Sequence, residues 1–190
     1  MPGAAGVAEQ NCYPGVIGFF NSVLVPRLRP RMGTHAFWTI DTSLIAGDDE
    51  NVWSRPDITS IVVTRGKYST LSQLTLISGE VKLKSGADLK AVHQTLAQSR
   101  YTHLAYLVCE SDARTREASF NRELTVQCER LGLGYVTFLD PNIVSTFVVH
   151  VHANRHEPSV DDLDHFIETR IDETHQESLR ACLAPTWGFE

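Results

Sequence analysis

The hydrophobic pattern of the chain changes its period near residue 85. Before it, β-branched and aromatic segments are separated by short polar connections, which predicts consecutive strands in antiparallel pairs. After it, segments with apolar residues at helical spacing alternate with short apolar segments that are typical of buried strands. The predicted strands are 34–46, 56–64, 71–84, 103–110, 135–141 and 144–153. The predicted helices are 13–28, 85–101 and 116–134, followed by one or two helices over 159–184.

The order of these elements predicts an α/β protein with a mixed sheet, three strands first and αβ units afterwards. At 190 residues the chain fits one domain, with a core at about 13–140 and an acidic helical extension at about 158–185. Pro26 and Pro30 are expected to close the first helix. Either Ser85 or Asp88 can begin the second helix, and a glycine at 132 or 134 can end the third.

Composition narrows the class of protein. Apolar residues make up 42 % of the chain and charged residues 21 %, values typical of globular proteins and unlike those of disordered chains. The sequence contains no apolar run long enough for a transmembrane helix and no signal-peptide pattern, so we expect a soluble, cytoplasmic protein without a membrane partner. The four cysteines form no CxxC pair, which argues against a structural zinc site and a disulfide framework.

Charge is distributed unevenly along the chain. Residues 154–190 carry three arginines against nine acids, which accounts for the whole formal charge of −6. All four lysines lie between positions 67 and 90, and a second basic cluster, PRLRPR, occupies 26–31. Local positive segments are compatible with binding a polyanion even when the net charge is negative. A normal solvated surface explains the same charge pattern equally well.

The segment LISGEVKLK contains the candidate chemistry. In a strand, residues two apart face the same side, so Glu80, Lys82 and Lys84 should project together, with Val81 facing the opposite layer. Antiparallel pairing with the strand that begins at 56 would bring Asp57 across from Glu80. The sequence therefore predicts two carboxylates that converge on one point with a lysine beside them.

Such a triad has a clear chemical use. Two carboxylates, with the main-chain carbonyl of Val81, can hold Mg²⁺ or Mn²⁺, which prefer oxygen ligands. The metal would acidify a bound water and neutralise charge at a phosphorus centre, while the Lys82 ammonium would orient or activate that water. Hydrolysis of a phosphodiester requires these parts together.

The same residues resemble the motif of the PD-(D/E)xK phosphodiesterase superfamily, which has the restriction-endonuclease-like fold. PD at 56–57 and EVK at 80–82 match the motif by position, and the family's αβββαβ core matches the predicted order from about 13 to 110. The resemblance implies that Asp57 and Glu80 bind metal and that Lys82 acts in catalysis. It also implies a glutamine on the next helix, with Gln98 as the first candidate and Gln94 as the second. The QxxxY spacing of several family branches is missing here.

The function implied by this resemblance is that of a metal-dependent endonuclease that hydrolyses DNA. Lys84, with Gln98 or Gln94, would contact phosphate, and a symmetric homodimer would be the simplest way to cut both strands. An RNA endonuclease is an alternative, because the metal chemistry accepts either sugar. A different class also remains open, namely a catalytically inactive subunit that uses the same fold to bind nucleic acid or to assemble.

Three further features could contribute a metal ligand, although each of the first two also has a more common structural role. His150 and His152, with His156 nearby, have the spacing of a strand face and could bind a transition metal, but packed or surface histidines are the more common outcome. The acid run at 47–50 could add a ligand, although an exposed turn is the usual role of such a sequence. Glu9 could approach the site from the first helix, as in some members of the family.

Overall fold

The computed structural model describes residues 9–28, 33–44, 55–66, 71–112 and 121–184. Six strands form one sheet: β1 (Gly33–Asp41), β2 (Ile58–Gly66), β3 (Ser72–Lys82), β4 (Leu104–Glu110), β5 (Gly134–Phe138) and β6 (Val148–Val151). The helices are α1 (Tyr13–Phe19), α2 (Val25–Leu28), α3 (Leu89–Gln98), α4 (Arg122–Leu131), α5 (Val160–Arg170) and α6 (Glu173–Leu183). These elements confirm a mixed α/β architecture.

The strands lie in the sheet in the order in which they occur in the chain. β1, β2 and β3 pair antiparallel, β4 and β5 join them in parallel, and β6 returns antiparallel to β5. The short connections of the first half favour antiparallel neighbours, and the helices α3 and α4 provide the longer crossovers that parallel strands need. β6 is shorter than predicted, because a 3₁₀ turn at Val144–Thr146 occupies the start of that segment.

Helices cover both faces of the sheet. α1 packs on one face through Val16, Phe19 and neighbouring side chains, against odd-numbered positions of β3 such as Ile77 and Val81. α3 and α4 pack on the other face, beside α5 and α6. Because successive side chains of a strand point to opposite faces, this division places Glu80 and Val81 in different layers.

The first helix differs from its prediction at Pro26. Instead of ending there, it continues from α1 through a π-helical turn at Phe20–Leu24 into α2, which contains Pro26. Proline donates no N–H and its ring crowds the preceding turn of an α-helix. The wider π turn directly before it accommodates the proline, and α2 ends at Leu28, which is the predicted end of the helix.

At two helix boundaries the sequence left two candidate residues, and the structure selects one of them in each case. The Asp88 side chain accepts a hydrogen bond from the Ala91 N–H and begins α3, as an N-cap residue does. Gly132 ends α4 with φ of 72°, a left-handed conformation that glycine adopts without steric cost. The acidic C-terminal region forms two helices, with Ser159 and Asp172 as N-caps.

The C-terminal helices are part of the packed structure. Phe166 of α5 and Leu179 of α6 are buried against Ile61, Val63 and Leu76 of β2 and β3. Their apolar sides therefore extend the layer that α3 and α4 begin on the same face of the sheet. No helix within the described ranges is both long enough and apolar enough to cross a membrane.

Candidate functional site

Pairing of β2 with β3 brings the two predicted acids together. Ile58 is opposite Gly79, and the Asp57 N–H continues the pairing by donating to the Gly79 carbonyl at 3.1 Å. Asp57 therefore stands at the start of β2, beside the position of Glu80 in β3. The prediction that antiparallel pairing places Asp57 across from Glu80 is confirmed.

Both oxygens of Asp57 accept hydrogen bonds from fixed donors. The Tyr13 hydroxyl donates to Oδ1 at 2.7 Å, and the Val81 N–H donates to Oδ2 at 2.7 Å. The side chain of Asp57 is only 15 % exposed. The carboxylate is thus held between α1 and the end of β3.

Glu80 is more deeply buried, at 4 % exposure. Gln98 of α3 donates from Nε2 to Glu80 Oε2 at 2.5 Å, and the Lys82 ammonium lies 2.7 Å from Oε1. Glu80 and Lys82 share a face of β3 because they are two positions apart. The same face is covered by α3, which brings in Gln98.

The Lys82 ammonium lies where the oxygens of the site converge. Its Nζ is close to Glu80 Oε1 at 2.7 Å, Val81 O at 3.0 Å, Glu9 Oε1 at 3.3 Å and Asp57 Oδ2 at 4.0 Å. We call Glu9, Asp57, Glu80 and Lys82 the acid–lysine cluster. Glu9, which the sequence analysis named as a further acid that could approach the site, is brought there by the segment before α1.

Burial dominates the electrostatics of the cluster. It raises the pKa of Asp57 and of Glu9, and burial together with the nearby Asp57 raises the pKa of Glu80 to about 7. Lys82 lowers the pKa of all three acids, but less than burial raises it. Burial alone would lower the pKa of Lys82, yet attraction to Glu80 and Asp57 outweighs it and the pKa rises. Lys82 is therefore an ammonium at neutral pH.

The acid–lysine cluster offers oxygen atoms of the kind that a divalent cation prefers. When the three acids are ionised, they carry more negative charge than one ammonium neutralises, and carboxylate and carbonyl oxygens are the ligands that Mg²⁺ prefers. Gln98 Oε1, beside Glu80, is buried and accepts no hydrogen bond from the described residues. Across the described ranges, no group of three or more His, Cys, Asp or Glu residues is placed to hold a metal. A metal would therefore depend on two acids, the Val81 carbonyl and water.

Two predicted phosphate contacts, Lys84 and Gln94, form no hydrogen bond with the described residues of the acid–lysine cluster. β3 ends at Lys82, and Lys84 begins a 3₁₀ turn, so the predicted alignment of Lys84 with Glu80 and Lys82 on one strand face is wrong. The chain turns there towards Asp112, with which the exposed Lys84 ammonium pairs. Gln94 is partly exposed on α3, and no hydrogen bond links it to the described residues of the cluster.

Gln98 contacts the acid–lysine cluster but is not exposed to solvent. It is fully buried, because it shares the inward face of α3 with Ala91 and Thr95. A side chain in this position supports Glu80 directly and is shielded from a nucleic acid at the surface. Its predicted role as a direct phosphate contact stays a prediction.

The histidines do not converge. His150 Nε2 is 2.8 Å from Thr137 Oγ1, and its ring stacks on Tyr135. His152 follows the end of β6, and its Nε2 is 2.6 Å from Arg27 Nη1 at the end of α2. The two side chains therefore contact opposite faces of the sheet. The acid run at 47–50 lies outside the described residues.

Tyr13 is the site residue that sequence reasoning missed. Its sequence signal is weak: it lies four residues after Glu9, which is close to one helical turn. A tyrosine beside a proline at the start of an apolar helix gives no indication of its partner. Only the docking of α1 on the sheet brings its hydroxyl to Asp57.

Comparisons with known proteins add little to this site. No family model matches the chain, and no curated protein matches it. A solved structure of a Silicibacter pomeroyi protein of unknown function is similar to 81 % of this chain and 86 % of that chain, with a TM-score of 0.40 and 12 % identity. A similarity of this size carries no information about function.

Proposed function

We propose that the protein is a Mg²⁺- or Mn²⁺-dependent endonuclease of the PD-(D/E)xK type, with a restriction-endonuclease-like core, that hydrolyses DNA. The observation that carries this proposal is the convergence of Asp57, Glu80 and Lys82 on one buried point. Their order in the chain and their places at the ends of paired strands agree with the motif. The αβββαβ order of the elements from Tyr13 to Glu110 supports the same assignment.

In this proposal Asp57, Glu80 and the Val81 carbonyl hold the cation, and Glu9 adds negative charge beside Lys82. When bound, the cation supplies charge neutralisation and a water of lowered pKa. Lys82 acts as an ammonium, since its acidic neighbours raise its pKa, so it orients water and phosphate oxygen by donating hydrogen bonds. Gln98 holds Glu80 in place through its Nε2 donor.

A nucleic acid is the proposed substrate because the lysines are concentrated in the segment that forms the site, and DNA is the nucleic acid that the resemblance to the motif implies. Lys84 and Gln94 would contact phosphates at the rim, and a homodimer would place two sites on the two strands. Competition between matched DNA and RNA strands tests the choice of nucleic acid. Preferential cleavage of RNA would support the RNA endonuclease instead.

A cleavage assay tests the proposed reaction. Supercoiled plasmid and single-stranded substrates are incubated with Mg²⁺, Mn²⁺ or EDTA, and cleavage is expected only with metal. Lys82→Met and Glu80→Gln should lower the rate by about 100-fold or more. Glu129→Gln, an exposed acid on α4, is the matched control and should cleave as the wild type does. Cleavage in EDTA, or equal rates in all four proteins, would refute the proposal.

The second candidate is a non-catalytic subunit that binds nucleic acid. One observation favours it: protein donors already occupy both oxygens of Asp57 and of Glu80. This candidate predicts salt-sensitive binding without turnover. Binding without cleavage, together with no heat of metal binding in calorimetry, would select it over the nuclease.

A further inference from the structure

The Tyr13 hydroxyl contacts the site, but the proposed reaction leaves it without a role. Tyr13 is the first residue of α1 and is 4 % exposed. Its hydroxyl donates to Asp57 Oδ1, while the Val81 N–H donates to Oδ2, both at 2.7 Å. Asp57 is therefore held from two directions, by a side chain on a helix and by the backbone of a strand.

The main chain of Asp57 is already fixed by the sheet. The Asp57 N–H donates to the Gly79 carbonyl at 3.1 Å, and its own carbonyl accepts from the Thr42 N–H at 2.9 Å. What these bonds leave free is rotation of the carboxylate about the side-chain torsions. The bond from Tyr13 restricts that rotation and keeps Oδ2 towards Val81 and Lys82.

The tyrosine ring alone does not explain the hydroxyl. The ring packs in the core beneath α1, with Val16 and Phe19, and phenylalanine would fill the same space. Tyr106 provides a comparison within that core. It is also buried, but its hydroxyl forms a hydrogen bond with the backbone of Ala153. The two tyrosines thus have similar packing and different hydroxyl partners.

We propose that Tyr13 is a positioning residue that holds the Asp57 carboxylate in the orientation in which Oδ2 faces Val81 and Lys82. This inference rests on the proposed function where it concerns metal binding. Residues that orient a metal ligand commonly change metal affinity by about 10-fold to 100-fold when they are substituted. The docking of α1 would therefore contribute to the affinity of the site as well as to the core.

The first test needs no metal. Crystal structures of Tyr13→Phe and of the control Tyr106→Phe are compared with that of the wild type. In Tyr13→Phe we expect the Asp57 carboxylate to rotate or to occupy two orientations, with loss of the short bond to the Val81 N–H. Retention of the wild-type orientation in Tyr13→Phe would overturn the inference.

The second test separates positioning from folding. Mn²⁺ binding is measured by calorimetry at a temperature at which all variants are folded. Tyr13→Phe should weaken binding by about 10-fold to 100-fold, whereas Tyr106→Phe, which also loses one buried hydroxyl, should stay within about twofold of the wild type. Equal affinities in the two variants would overturn the inference. Failure of the wild type to bind Mn²⁺ would overturn the proposed function, and the carboxylate orientation would still decide the role of Tyr13.

Discussion

The Lys82 ammonium lies 2.7 Å from Glu80 Oε1, on the same face of β3. The side chains are 15 % and 5 % exposed, so the ion pair is largely shielded from solvent. Glu9 and Asp57 lie on the other sides of the ammonium, at 3.3 and 4.0 Å. One cation thus balances the buried Glu80 and the partly buried Asp57 and Glu9, which makes Lys82 important for stability as well as for the proposed chemistry.

Replacement of Lys82 by methionine should destabilise the fold. Without Lys82 the pKa of Glu80 rises further, so the acid must either bind a proton or stay uncompensated, and loss of one partner of a buried ion pair commonly costs about 3–5 kcal/mol. Lys84→Met is the matched control, because Lys84 and its partner Asp112 are 62 % and 73 % exposed, and an exposed pair contributes about 0–1 kcal/mol. Urea unfolding at pH 7 measures both changes. Equal costs for the two variants would contradict the role of Lys82 as the buried counter-ion.

Divalent cations should stabilise the folded protein if the cluster binds them. At a concentration of 100 times the Kd, a ligand bound only by the folded state contributes about 2.7 kcal/mol. Thermal unfolding of the wild type should therefore shift upwards as Mn²⁺ is added. Asp57→Asn and Glu80→Gln should lose this shift, and Glu129→Gln should keep it. The same shift in all four proteins would place the bound metal elsewhere.

His103 should make the stability depend on pH. Burial, helped by Arg155 and opposed by Glu157, lowers its pKa from 6.5 to about 4, and its Nδ1 accepts a hydrogen bond from the Leu76 N–H at 3.0 Å. Between pH 6.5 and about 4 the unfolded chain binds a proton that the folded protein does not bind. Stability therefore falls as pH falls through this window.

The His103→Asn variant isolates this contribution. Asparagine can offer an acceptor near the position of Nδ1, but it does not titrate. Urea unfolding of both proteins at pH 7.5, 6 and 5 should show a smaller loss of stability for the variant. If the two proteins lose stability in parallel, His103 does not titrate as its burial indicates.

Two glycines of α1 should respond in opposite ways to alanine. A Cβ at Gly15 would overlap the carbonyl of Pro141, whereas a Cβ at Gly18 would meet no heavy atom of the described residues within 4 Å. Gly18→Ala should stabilise the protein by about 0.5–1 kcal/mol, since alanine is the better helix former.

Gly15→Ala should instead destabilise it by about 1–3 kcal/mol. The overlap would also push α1 away from the sheet, and Tyr13 is on that helix. Chemical denaturation measures both changes, and calorimetry with Mn²⁺ tests whether Gly15→Ala weakens the site. Equal stability of the two variants would show that α1 tolerates a shift at Pro141.

Much of the fold was predictable because its signals are local. Local capping signals limited the start of α3 to Ser85 or Asp88 and the end of α4 to a glycine at 132 or 134, and the structure selected Asp88 and Gly132. The end of the first helix at residue 28 was predictable, but the π turn at Phe20–Leu24 and the place of Pro26 inside the helix were not. The division of 144–153 into a 3₁₀ turn and β6 could likewise not be predicted from the hydrophobic pattern.

The sequence by itself determined that Asp57, Glu80 and Lys82 would meet, since the period of a strand and the pairing of neighbours are enough to bring them together. Only the tertiary structure decided which helix residues join them. It brought Glu9 and Tyr13 from the N-terminal segment, and it chose Gln98 over Gln94. The physical reason is that the angle and depth at which a helix docks depend on packing across the whole sheet, which no short stretch of sequence encodes.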